Sequence, residues 1–135
     1  MGGSSLLNYM IHTRGNRRDY DGWAAQGNPG WAYEDVLPYF KKSEAVQCPQ
    51  LRSEWRGDSG PHPVCFPPWR TPLAEAFVSA GPATGQRVVD DYNGPTQTGF
   101  SYLQVSTHCS QSAKEKVCRR NYNNCSFFVF FSFLL

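Results

Sequence analysis

All 12 glycines and all 10 prolines of this 135-residue chain lie before residue 106. Glycine and proline are the strongest local punctuation a chain has. Residues 1–105 are therefore cut into short elements, with no room for a long helix or a wide regular sheet. Residues 106–135 lack both residue types, and five of the nine phenylalanines fall within 127–135. Charge follows the same boundary. The first stretch has 9 basic and 10 acidic side chains, the second 4 and 1. These are two kinds of sequence joined near residue 106.

Within the first stretch three helices can be read from their ends. Asn16 can cap a helix from Arg17 to Gln26, with Asp19 and Asp21 early and Gly27 as its stop. Tyr33 to Ala45 carries Val36, Leu37, Tyr39 and Phe40 as an apolar stripe. Its acids, Glu34 and Asp35, come early and its bases, Lys41 and Lys42, late, which complements the helix dipole. Pro38 interrupts that pattern and is expected to kink it. Pro72 suits a first helical position, followed by Leu73 to Ala80 with Leu73, Ala76, Phe77 and Ala80 on one face. Trp23, Trp31, Val36, Phe40 and Phe77 are expected in the core. Short strands are expected at Val64–Phe66 and Phe100–Ser106, with few partners for them. The class is α+β, mainly helices and loops.

The chain begins with Gly2-Gly3-Ser4-Ser5, then Leu6, Leu7, Tyr9, Met10 and Ile11. This suits a turn opening a short helix, whose free N–H groups would favour a phosphate or another electron-rich ligand. On local chemistry alone a plain capped helix is the stronger reading, because the same composition serves in linkers. Met1–Ser5 has no basic stretch leading into an apolar one, so it does not read as a signal peptide.

A formal charge of +2 excludes a strongly basic nucleic-acid binder. No apolar run reaches roughly 18 residues, so no membrane span is expected. The five cysteines, Cys48, Cys65, Cys109, Cys118 and Cys125, contain no CxxC pair and are odd in number. They read as reduced thiols without a shared task. His62 lies three residues before Cys65 between two prolines, with no second half-site, and no metal site is expected.

Gly2-Gly3-Ser4-Ser5-Leu6-Leu7-Asn8, with His12, Gly15 and Asp21, closely resembles the first signature of the glucose–methanol–choline (GMC) flavin oxidoreductases. It departs from that signature at His12, where an aromatic is usual. The resemblance continues through Arg14–Asp21, Gly27–Trp31, Val36–Glu44, Arg70–Leu73 and Asp90–Phe100, and it covers about residues 1–105. The wording is most like insect glucose-dehydrogenase-like members.

The resemblance implies an incomplete piece of the FAD-binding and substrate domains, 1–105, with the cofactor-contacting segment at 1–21. Gly2, Gly3, Ser4, Ser5, Asn8, Tyr9, Met10 and Ile11 would lie against FAD, with Asn8 bonding the flavin side. Members that attach FAD covalently carry histidine just before the asparagine. Here that residue is Leu7, which implies noncovalent binding. Arg14, Asp91 and Asn93 are equally well read as a solvated charge and ordinary turn residues.

The family's GxGxxG fingerprint, which holds the adenosine diphosphate part of FAD, does not occur in this sequence. His12, His62 and His108 match none of the family's catalytic motifs, so no catalytic residue is assigned. The expectation is an internal piece of an enzyme that moves hydride from a small alcohol or sugar to flavin, inactive alone. Past Ser106 the resemblance frays: Cys109–Lys114 is only an echo and Glu115–Leu135 match nothing, so residues 106–135 are expected to be disordered or misassembled, with the sequence from about residue 107 arising from a changed reading frame or unspliced sequence. Their Phe-rich end is β-prone and uncharged, and it favours self-association. The alternative is a non-enzymatic truncated product that associates with a partner or a membrane surface through this aromatic tail.

Overall fold

The structure, a computed structural model, describes residue 3 and residues 7–107. Gly2, Ser4 and Ser5, and all of the Phe-rich tail, lie outside the described residues.

The helices form where their end signals stand. The Asn16 side-chain oxygen accepts from Arg18 N at 2.8 Å, and α1 runs Arg17–Ala25. Helix α2 runs Tyr33–Ser43 and continues through Pro38. The carbonyl that Pro38 leaves without a donor belongs to Glu34, and both residues are exposed, so water can serve it. Thr71 caps α3 by accepting from Ala74 N at 3.0 Å, and Pro72 opens that helix, which ends at Ala80.

Two expectations about these helices need correction. The second helix was to reach Ala45, but the chain leaves it at Ser43 and enters strand β1, Glu44–Val46. This strand pairs in parallel with β2, His62–Val64, in the register Glu44 to His62 and Val46 to Val64. A 3-10 turn, Pro49–Leu51, lies in the connection. The same connection brings Gly57 and Gly60 against the junction of α2 and β1. A Cβ on Gly57 would overlap the Lys41 carbonyl, and one on Gly60 would overlap the Ser43 backbone. Strand pairing gives the backbone groups of residues 44–46 partners once the chain has left the helix.

The second correction concerns burial. Trp23 and Trp31 are about half exposed and pack edge to face on each other, 5.8 Å apart. On α3, Leu73, Ala76 and Ala80 are exposed, while Val78 is buried and Phe77 packs on Phe100. A helical stripe shows which residues share a face but not what covers that face.

Beyond β2 the ladder continues by single bridges. Gln47 N donates to Val64 O on one side, and Cys65 exchanges two bonds with Val105 on the other. Val105 also bridges Ile11, flanked by His12 N to Gln104 O at 2.9 Å and Ser106 N to Met10 O at 2.8 Å. The expected strand at 100–106 is thus extended chain held at Phe100 and Val105. The apolar core is small, with Val46, Leu51 and Val64 at its centre and Cys48 and Phe66 against them. Cys65 is disulfide-bonded, contrary to the expectation of reduced thiols, while Cys48 is free. No helix among the described residues is long and apolar enough to cross a membrane.

Candidate functional site

The most buried chemistry of the molecule is polar. Arg14, Glu44, Arg56, Asn93 and Gln104 are all buried. Glu44 is the hub. Its Oε1 accepts from Arg14 Nη2 and from Gly57 N, the latter at 2.8 Å, and its Oε2 lies 3.2 Å from His12 Nε2. Arg56 Nη1 adds its charge at 3.4 Å. Burial by itself would raise the Glu44 carboxyl. The His12 hydrogen bond, the Gly57 amide and the two guanidinium charges outweigh it and hold the group below its usual range.

Arg56 links this hub to a second carboxylate. Its Nε stands 3.4 Å from Asp91 Oδ2, and its Nη2 donates to Gln104 Oε1 at 2.7 Å. Gln104 Nε2 donates in turn to Asp91 Oδ1, and Asn93 Nδ2 donates to Gln104 Oε1. Burial draws the Arg56 guanidinium down, against the opposing pull of Asp91 and Glu44. The Tyr92 hydroxyl donates to His12 O at 2.8 Å and accepts from Gln104 N at 2.9 Å; burial pushes it up to about 12. Two guanidiniums thus face two carboxylates. The cluster balances by charge better than by hydrogen bonding, because Arg14 Nε, Arg56 Nε and Nη1, and Asp91 Oδ2 are buried without a hydrogen-bond partner.

The residues expected to touch a cofactor lead directly into this cluster. Among the described ones, Leu7, Asn8 and Tyr9 are exposed, and Met10 and Ile11 are half-buried. The expected helix is absent across Leu7–Ile11. Asn8 Oδ1 accepts from Met10 N at 2.7 Å, Met10 has φ +57°, and Ile11 is held in extended backbone against Val105. A non-glycine residue in the left-handed region is uncommon, and it turns the chain here out of any helical path.

This stretch offers open apolar surface. Leu7 is 87% and Tyr9 54% exposed, and Gly3, at φ +53°, has nothing within 4 Å of where a Cβ would sit. Apolar and aromatic surface next to open backbone suits a planar ring system. A cleft lined by Arg17, Tyr33, Trp55, Gly94, Pro95 and Gln97 has room for about one water and includes none of these residues. No group of His, Cys, Asp and Glu suited to a metal ion occurs among the described residues.

Reading the sequence left Glu44, Arg56 and Gln104 without a role and weighed Arg14, Asp91 and Asn93 only singly. Their partners are far apart in the chain, and no local spacing joins them. The one available signal was charge and amide side chains inside the family motifs, at Arg14, Glu44, Asp91 and Asn93.

Comparison with known proteins places the chain in a family. The profile of the GMC oxidoreductase family matches residues 1–131. Glucose dehydrogenase (FAD, quinone) of Drosophila melanogaster is 48% identical over 107 residues, 78% of this chain and 17% of that protein. Oxygen-dependent choline dehydrogenase of Brucella anthropi is 45% identical over 108 residues, 80% of this chain and 19% of that protein. The chain therefore spans less than a fifth of the length of these relatives. An FAD-dependent oxidoreductase from Chaetomium thermophilum superposes with a TM-score of 0.72 at 30% identity, over 90% of this chain and 22% of that one.

Proposed function

The chain belongs to the GMC oxidoreductase family, and on that premise we propose that residues 1–105 are part of the N-terminal region of an FAD-dependent oxidoreductase acting on CH–OH donors. The observation that carries this reading is the identity of 45–48% to dehydrogenases several times longer. When bound, FAD supplies the acceptor for a hydride from the alcohol or sugar carbon.

The chain's own residues supply contact and support. Leu7, Tyr9, Met10 and Ile11 present apolar surface to the flavin, and Gly3, with nothing within 4 Å of where a Cβ would sit, leaves its backbone open to close approach. Asn8 shapes the turn that presents them. Leu7 carries no nucleophile, which favours noncovalent binding. None of these side chains is a base for the alcohol proton, so this stretch binds and orients and leaves proton transfer to other parts of the enzyme. The substrate is a small alcohol or sugar.

Two measurements test this reading. The transcript upstream of Met1 is expected to contain an in-frame GxGxxG. The 135-residue chain, purified and desalted, is expected to show no flavin absorbance. A soluble yellow monomer would overturn the expectation that this stretch alone retains no FAD. A transcript with no such fingerprint in frame would overturn the assignment to a longer flavoenzyme.

A further inference from the structure

Residues 11–14 run extended from the ladder at Ile11 into the buried cluster. Side chains of an extended chain alternate between faces, so residues 12 and 14 share one side and residues 11 and 13 the other. His12 and Arg14 both reach Glu44, while Thr13 is exposed and Ile11 only half-buried. A slip of one residue would exchange these sets and carry Asn8–Met10 about 3.3 Å along the chain. Apolar burial is too slight to prevent that slip, since Ile11 is the only aliphatic side chain in the stretch. Backbone bonds alone do not specify register either, because a slipped ladder can remake them.

We infer that Glu44 is the positioning residue for the cofactor-facing segment: its carboxylate, gripping His12 and Arg14, locks the register of residues 11–14 and with it the place of Asn8, Tyr9 and Met10. The inference rests on the proposal that this segment faces the flavin. Side chains from elsewhere also bond to the stretch in this register, among them Asn93 Nδ2 to His12 O at 3.3 Å, and Arg14 Nη1 donates to Trp55 O at 2.8 Å. Arg14 N donates to Asn93 Oδ1 at 2.8 Å, Tyr92 OH donates to His12 O, and Tyr20 OH donates to Arg14 O. Glu44 also keeps two buried cations apart in effect. Arg14 and Arg56 sense each other as like charges, and without the carboxylate between them the repulsion acts directly on the stretch that carries Arg14.

The test is site-resolved hydrogen exchange on the whole chain. Glu44→Gln is expected to speed exchange at the His12, Arg14 and Ser106 amides on the order of tenfold. The amides of Glu75 in α3 and of Gly81 just past its end should stay at their wild-type rates. Unchanged rates at His12, Arg14 and Ser106 overturn the inference. If Glu44→Gln loses protection everywhere, Glu44→Asp decides. It keeps the charge but is one methylene too short to reach all its donors. Faster exchange confined to the stretch supports the inference, and uniform loss overturns it. In the intact flavoprotein, Glu44→Gln should weaken FAD binding on the order of tenfold, read by flavin fluorescence. Loosened amides with unchanged FAD affinity overturn the role toward the cofactor. An intact wild-type protein that binds no flavin overturns the proposed function instead, while the exchange result still decides whether Glu44 locks the register.

Discussion

Strand β1 carries two cores two residues apart on one face. Val46 packs with Leu51 and Val64 in a small apolar cluster. Glu44, equally buried, sits among two arginines, a histidine and a glycine amide. The apolar cluster is held by non-directional contacts that can shift by a fraction of an ångström. The polar cluster is held by specific atoms in specific places, and each missing partner leaves a charge in a low dielectric. One strand therefore supports a tolerant core and an exacting one, and the exacting one adjoins the segment proposed to face the flavin.

Deletion within each cluster is the strongest way to break this comparison. Glu44→Ala leaves Arg14 and Arg56 buried without their carboxylate and is expected to cost about 3–5 kcal/mol. Leu51→Ala removes packing only and is expected to cost about 2–4 kcal/mol. Urea denaturation measures both, and a larger cost for Leu51→Ala would mean that the apolar cluster dominates.

Acid separates the two more gently. The folded Glu44 carboxyl ionises below its ordinary value of 4.5, so ionisation is easier in the folded state. Its contribution to stability is fully present above about pH 4.5 and is lost as pH falls through the folded value. Stability of the wild-type chain is expected to decline below that pH by a part that Glu44→Gln lacks and Leu51→Ala retains. Parallel acid profiles for all three chains would remove Glu44 from the account.

The smallest effect is expected away from both cores. Leu73 is 56% exposed on α3. Leu73→Ser should change the stability of this chain by no more than about 0.5 kcal/mol. A larger loss in the urea midpoint would show that something covers this face in solution.

The ends of α1, α2 and α3 were legible because capping and dipole signals act within one turn. Asn16, Thr71 and Pro72 do in the structure what their chemistry requires. Burial was less legible. Trp23 on α1 and Leu73 on α3 remain exposed, as does Trp31 just before α2, because an apolar residue needs a neighbour to be buried. Glu44 was placed near the end of a helix, and only the approach of residues 57–64 turned it into a strand. The residues proposed to face the cofactor were singled out through family resemblance, whereas the non-helical path of residues 7–11, with Met10 left-handed, was not legible.

The sequence by itself determined the starts of α1, α2 and α3 and the family, and by resemblance it singled out the stretch proposed to face a cofactor. Those are properties of neighbouring residues or of ordered motifs along the chain. Only the tertiary structure decided that Arg14, Glu44, Arg56, Asp91 and Gln104 form one buried cluster and that it borders that stretch. The reason is physical: a charge is tolerated in the interior only when its partners arrive from distant parts of the chain at hydrogen-bonding distance. That meeting is set by packing and strand register, not by spacing along the sequence.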